Sequence, residues 1–319
     1  ISCLVGSEMC IRDRTHIRLN TLTKLFCSCA NEDIEQPNQN ICSVCTGQMG
    51  VLPALNKEAI NKAIQFGKAV NSSMSNAVIF WDRKHYEYPD LPKNFQLTQF
   101  NKPIIPDGLV ECYRNDGTIF SVEIEQVHLE EDAAKLVHEK DMTLVDFNKS
   151  GVPLIEVVTK PCIHRIQDAS TYAQYLHRIV QNLKISEANL EKGEFKSDVS
   201  VSLRKKGTND LNPRAEIKNL NSFKFMVEAI MEEVVKQLDY YLEHNSPRPD
   251  QTTVLFDADL KQTKTMRKKE FAADYRYARE PDIPSVNIKS VVENTHVDNS
   301  SLPFPVESIL INGGTLPQD

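Results

Sequence analysis

Helical periodicity is the strongest pattern along this chain. In KEAINKAIQFGKAV, starting at Lys57, the residues Ile60, Ala63, Ile64, Gly67 and Val70 fall on one face, which predicts a helix. DASTYAQYLHRIVQNL predicts a second, with Ala169, Tyr172, Ala173, Leu176, Ile179, Val180 and Leu183 inward. A third follows Ser222, whose hydroxyl suits an N-cap, with Phe223, Met226, Ile230, Val234, Leu238 and Tyr241 on its face. Other segments have a period of two. SDVSVSLR sets Val199, Val201 and Leu203 against Asp198, Ser200 and Ser202, and AEIKNLN is a second short strand. Two β-rich arms around Asn115, Asp116 and Gly117 predict a hairpin. Hairpins with helices between them predict an α+β fold, an antiparallel sheet with flanking helices, rather than a doubly wound one. CLVGSEMCIRDR, residues 3–14, follows neither period, and regular structure is expected only from about Thr15.

Composition changes this picture little. The 319 residues are 40% hydrophobic and 25% charged, ordinary for a globular protein with a sizeable core. A net charge of −7 argues against holding nucleic acid by bulk electrostatics. Basic residues do gather locally, at Lys196, Arg204, Lys205, Lys206, Arg214, Lys218 and Lys224, and again in KTMRKKE from Lys264; taken alone, each run reads as a solvated face. With neither a membrane-length apolar run nor a secretory signal, a cytoplasmic protein is expected.

Four of the eight cysteines fall in FCSCANEDIEQPNQNICSVC, as Cys27, Cys29, Cys42 and Cys45. Close pairs at the ends of a short polar loop can converge on a tetrahedral Zn²⁺, and four thiolates leave no open position, so the expected site is structural. Two disulfides are the alternative, disfavoured in a reducing compartment. Cys112 and Cys162 stand alone and read as plain buried thiols.

Several stretches, in order, carry a resemblance: HIRLNT, SVCTGQMGVLPALN, DRKHYEYPDLPKNFQLTQ, VHLEEDAAK, DFNKSGVPLIEVV, NLEKGEFKSDVSVSLR, RAEIKNLNSF and MRKKEFAADYRYAREPDIP. Over about residues 15–290 the chain resembles the GatB family, the B-type subunits of the aspartyl/glutamyl-tRNA(Asn/Gln) amidotransferases. The resemblance implies a glutamine-synthetase-like cradle domain over 15–290, with the cysteine loop of 27–45 as a small zinc-binding insertion. It implies ATP-dependent transamidation of mischarged Glu-tRNA(Gln) or Asp-tRNA(Asn). A side-chain carboxylate is phosphorylated and then attacked by ammonia, so the cofactors implied are ATP, Mg²⁺ and structural Zn²⁺. The partners implied are the amidotransferase's glutaminase (A-type) subunit, its small (C-type) subunit and the mischarged tRNA.

By the same resemblance the catalytic residues fall on His16, Glu130, Glu131, Asp198 and Glu216, with His16 and Glu131 on the metal and Arg83 and Lys84 toward ATP. Asp198 has independent support, since it shares a polar strand face with two serines opposite a wholly apolar face. Without the family, Glu130 and Glu131 would be surface acids. One departure is serious: the family has a metal-binding Glu where this chain has Arg14, which inverts the local charge. Leu4 to Asp13 also match the translation of a transposase-library sequencing adapter. Residues 1–14 are therefore expected to be adapter-derived rather than native, and 291–319 to begin a connection to a helical and tail domain. The competing readings are a zinc module that binds RNA without catalysis, with no acidic cleft, and a free-standing glutamine-synthetase-like ligase.

Overall fold

The computed structural model describes residues 6–220, 222–269 and 275–312. Residues 1–5 of the expected adapter segment, 270–274 of the last resembling stretch and 313–319 of the expected connection lie outside the described residues. In chain order the first elements are β1 (Ser7–Arg18), α1 (Lys57–Ala69), β2 (Val78–Ile79), β3 (Asp82–His85), β4 (Phe95–Thr98), β5 (Gly108–Tyr113) and β6 (Ile119–Glu131). A small hairpin of β7 (Lys135–His138) and β8 (Thr143–Asp146) leads to β9 (Pro153–Thr159), α2 (Ile166–Asn182), β10 (Phe195–Lys205) and β11 (Ala215–Leu220). Then come α3 (Phe223–His244), β12 (Gln251–Asp257), β13 (Gln262–Lys269), β14 (Ala278–Arg279), β15 (Val286–Asn287), α4 (Lys289–Asn294) and α5 (Pro303–Asn312).

Eight strands form one sheet in the order β13-β12-β11-β10-β1-β9-β6-β5, antiparallel except for the parallel pair β11 and β12. The parallel step arises because α3 carries the chain back across the sheet between those two strands. The α+β class is therefore observed. α1, α2 and α3 contribute apolar faces to one continuous core, including Ile64, Tyr172, Leu176, Ile230 and Val234. Ser222 caps α3 by accepting from the Phe225 amide at 3.1 Å. The inner face of α3 differs from the expected stripe in its second half: Glu233 and Gln237 are buried there, while Tyr241 is exposed. Glu233 can be buried because Arg248 and Lys236 approach its carboxylate at 3.4 and 3.9 Å.

The start of the chain overturns an expectation. Residues 7–14 are regular, paired with β10 from Ser7↔Lys205 onward, and β1 lies at the centre of the sheet. Pairing with β10 along Ser7–Ile17 and with β9 along Arg14–Arg18 sets this strand, not its own pattern. Ile11, Asp13, Thr15 and Ile17 face the core, and Arg12, Arg14, His16 and Arg18 face the other side. The misfit appears at Asp13, which is 2% exposed. Thr15 donates to its Oδ2 at 2.5 Å, Oδ1 has no partner, and burial pushes the carboxyl up to about 7.

Candidate functional site

The outward face of the sheet carries a cleft of about 250 Å³ lined by Arg14, Lys84, His128, Glu130, Glu156, Asp198, Glu216, Tyr275 and Tyr277, among others. Alternation along each strand explains the set. His16 on β1 stands opposite Glu156 on β9, and Glu156 is opposite His128 on β6; Arg14 is opposite Asp198 on β10. Every second residue of these strands points into the same space.

The cleft has two halves. In the first, His16 Nε2 lies 3.2 Å from Glu130 Oε1 and 3.8 Å from Glu156 Oε2, and His128 Nε2 lies 2.7 Å from Glu156 Oε2. Burial works against charge on all four groups. The mutual attraction outweighs it: His16 is raised, His128 is raised to about 10, Glu130 is held well below the carboxylate range, and Glu156 falls to about 2. Two carboxylates and two histidines therefore interleave, each favouring the charged form of its neighbours. Ligand atoms of His16, Glu130 and Glu156 all lie within 4.8 Å of one another, so the residues present fit a hard divalent cation there.

Arg14 occupies the second half. Its Nη2 contacts Asp198 Oδ2 at 2.5 Å and Glu216 Oε1 at 2.8 Å, and its Nε lies 3.4 Å from Glu156 Oε1. Lys218 adds a contact of 3.2 Å to Asp198. A guanidinium is thus set among three carboxylates, and this half does not fit a divalent cation while Arg14 is present.

The expected residues are not all in one place. Glu130, Asp198 and Glu216 line the cleft and His16 adjoins it through Glu130 and Glu156, but Glu131 does neither. As the neighbour of Glu130 on a strand, it points to the opposite face, where it pairs with Lys93 and accepts from the Leu97 amide at 3.0 Å. The expected pairing of His16 with Glu131 is therefore corrected to His16 with Glu130 and Glu156. The neighbours Arg83 and Lys84 separate in the same way. Lys84 lines the cleft, its ammonium 4.8 Å from the Tyr275 ring, whereas Arg83 turns away into a fork with Glu280 at 2.8 Å per bond. Sequence reasoning missed Glu156 and His128. The available signal was a glutamate inside the otherwise apolar PLIEVV.

The four cysteines do converge: their sulfurs lie within 4.8 Å of one another, and those of Cys42 and Cys45 are 3.8 Å apart. A tetrahedral Zn²⁺ with bonds of about 2.3 Å needs sulfurs roughly 3.8 Å apart, so the cluster is compatible with structural zinc. Of the remaining thiols, Cys112 is fully buried, as expected, while Cys162 is half-buried.

Comparison with known proteins places the chain in a family. A protein from Helicobacter pylori, named as the B-type subunit of aspartyl/glutamyl-tRNA(Asn/Gln) amidotransferase, is 46% identical over 283 residues, 88% of this chain and 59% of its own length. Proteins of the same name from Helicobacter hepaticus and Campylobacter jejuni are 42% identical over 314 residues, 98% of this chain and 66% of theirs, and 44% identical over 284, 88% and 60%. The chain thus spans about 60% of the length of these relatives. The family described as the GatB/GatE catalytic domain matches residues 11–293, from the middle of β1 through most of α4, and this chain belongs to that family.

Proposed function

We propose that this chain is the catalytic part of a tRNA-dependent amidotransferase subunit, one that activates the side-chain carboxylate of Glu or Asp on a mischarged tRNA with ATP and then admits ammonia. The observation that carries the proposal is the convergence of Glu130, Glu156, Asp198 and Glu216 from separate strands on one cleft, with His16 beside Glu130 and Glu156. Phosphoryl transfer depends mainly on positioning and charge neutralisation, which such a set of fixed carboxylates can organise. Bound Mg²⁺ would offset phosphate charge, held by Glu130, Glu156 and His16. His128 holds Glu156 in its ionised, outward-facing state, and Lys84 is placed to meet an anionic phosphate at the rim. Asp198 and Glu216 would complete the site once position 14 carries an oxygen ligand in place of the guanidinium. Cys27, Cys29, Cys42 and Cys45 hold Zn²⁺ as a strut. The partners are the glutaminase (A-type) subunit, the small (C-type) subunit and the mischarged tRNA.

With Arg14 the chain is expected to be inactive even when given these partners. In a complete, assembled enzyme carrying Arg14→Glu, ATP-dependent phosphorylation of the aminoacyl-tRNA should appear. Asp198→Ala or Glu156→Gln in that background should abolish it, with the partner's glutaminase chemistry intact. Full activity of the Asp198→Ala enzyme would refute the site assignment, and activity of the unaltered chain would refute the role given to position 14.

A further inference from the structure

Lys24 is completely buried at the edge of the cysteine cluster, and nothing in the proposed reaction uses it. Its ammonium donates to the Asn40 carbonyl at 2.9 Å, to the Phe147 carbonyl at 3.5 Å and to Cys45 Sγ at 3.7 Å. Three protons thus meet three acceptors from two segments, the cysteine loop and the turn at Phe147. The stem is enclosed as well. Gly151, at φ +86°, passes over it, and a Cβ at that position would lie 3.7 Å from Lys24 Cδ and 3.5 Å from Cys45 Cβ. Cys45 itself is held tightly: its sulfur also accepts from the Cys42 amide at 3.1 Å, and its carbonyl accepts from the Ser150 hydroxyl at 2.8 Å.

Burying an ammonium is costly unless a negative charge compensates it. Two of its three acceptors are neutral carbonyls, and the third is sulfur. Four thiolates around a zinc dication leave two negative charges in excess, which is the complementary problem. We infer that Lys24 is the counter-cation of the four-cysteine centre, offsetting part of that excess and fixing Cys45 as a ligand through its N–H to sulfur bond. The inference rests on the zinc reading and extends it from the ligands to the residue that makes their charge tolerable. Lys24 is a positioning residue, not a ligand.

The test compares the full chain with its Lys24→Met and Lys24→Arg variants. Zinc affinity is measured by competition with a chromophoric chelator, and the thiolate-to-metal absorption band after cobalt substitution. Lys24→Met should weaken zinc binding by about tenfold or more and shift the band, and Lys24→Arg should recover most of the loss. Circular dichroism in excess zinc checks that each variant is folded. A folded Lys24→Met protein with unchanged affinity and spectrum would overturn the inference. So would the failure of both variants to fold in excess zinc, which would make the lysine's role architectural. An unaltered chain that binds no zinc would instead refute the metal reading on which the inference stands.

Discussion

The cysteine cluster draws its four sulfurs from a single stretch of nineteen residues, Cys27–Cys45, whereas the cleft collects its charged groups from strands β1, β6, β9, β10 and β11. Both crowd together groups of like charge. Around the cysteines the compensating cation comes from outside the ligand set, from Lys24, and reaches only one sulfur directly. In the cleft the compensation is internal: histidines sit between the carboxylates of one half, and Arg14 takes up those of the other. Arg14 fills the second half of the cleft and leaves His16, Glu130 and Glu156 alone to meet a cation, so added metal should matter more to the cysteine cluster than to the cleft.

The largest effect is expected from removing zinc. Chelation, or Cys27→Ser, should unfold the 27–45 loop and lower the melting temperature, because metal binding in such sites is worth on the order of 10 kcal/mol. Limited proteolysis within 27–45 reads the change, and insensitivity to chelators would break the comparison.

Next comes Asp13, a buried acid that neither region compensates. Its folded pKa of about 7 lies above the ordinary 3.8, so the folded state holds its proton more tightly than the unfolded state. Its contribution to stability is complete below about pH 4 and is lost as pH rises through about 7. Three pH units correspond to about 4 kcal/mol as an order of magnitude. Asp13→Asn should therefore flatten the stability profile between pH 4 and 7 in denaturant titrations, with its greatest gain above pH 7; an unchanged profile would remove Asp13 as the cause.

A smaller effect, about 2 kcal/mol after allowance for partial exposure, is expected for Arg14→Met, which strips three carboxylates of their cation. Added Mn²⁺ should restore that loss in a thermal melt and do little for the unaltered chain. The smallest effect separates neighbours on one strand: in the Arg14→Met background, Glu131→Gln should leave the response to Mn²⁺ unchanged, while Glu130→Gln should weaken it. Equal effects would contradict the two-sided geometry of β6.

Much of this was legible in the sequence, for local reasons. Helical spacing set α1 and α2 to within a residue or two, the Asn-Asp-Gly turn located the β5–β6 hairpin, and the cysteine pairs announced their own convergence. Asp198 could be read because its strand alternates around it, with Ser197, Val199 and Val201 buried on the other face. The rest depends on register. Whether Glu130 or Glu131 meets His16 is decided by how β6 and β1 pair with β9, at separations that no local pattern encodes. Glu156 and His128 were hidden because each becomes meaningful only opposite the other. β1 was unreadable because Asp13 and Thr15 occupy core positions that period-two reasoning reserves for apolar side chains.

The central position of β1 also bears on the order in which the molecule is assembled. Without it the eight-stranded sheet falls into two separate parts, β5, β6 and β9 on one side and β10 to β13 on the other, each dominated by pairings close in sequence. β1 precedes its partners in the chain by a long interval, since they begin only at Pro153 and Phe195. At 5–20 residues per second it waits roughly 7 to 35 seconds before either edge can be covered, exposing an unpaired strand to other chains. Glu130 and Glu156 belong to one part, Asp198 and Glu216 to the other. The cleft is therefore a late product of folding, formed only when this early strand closes the gap between them.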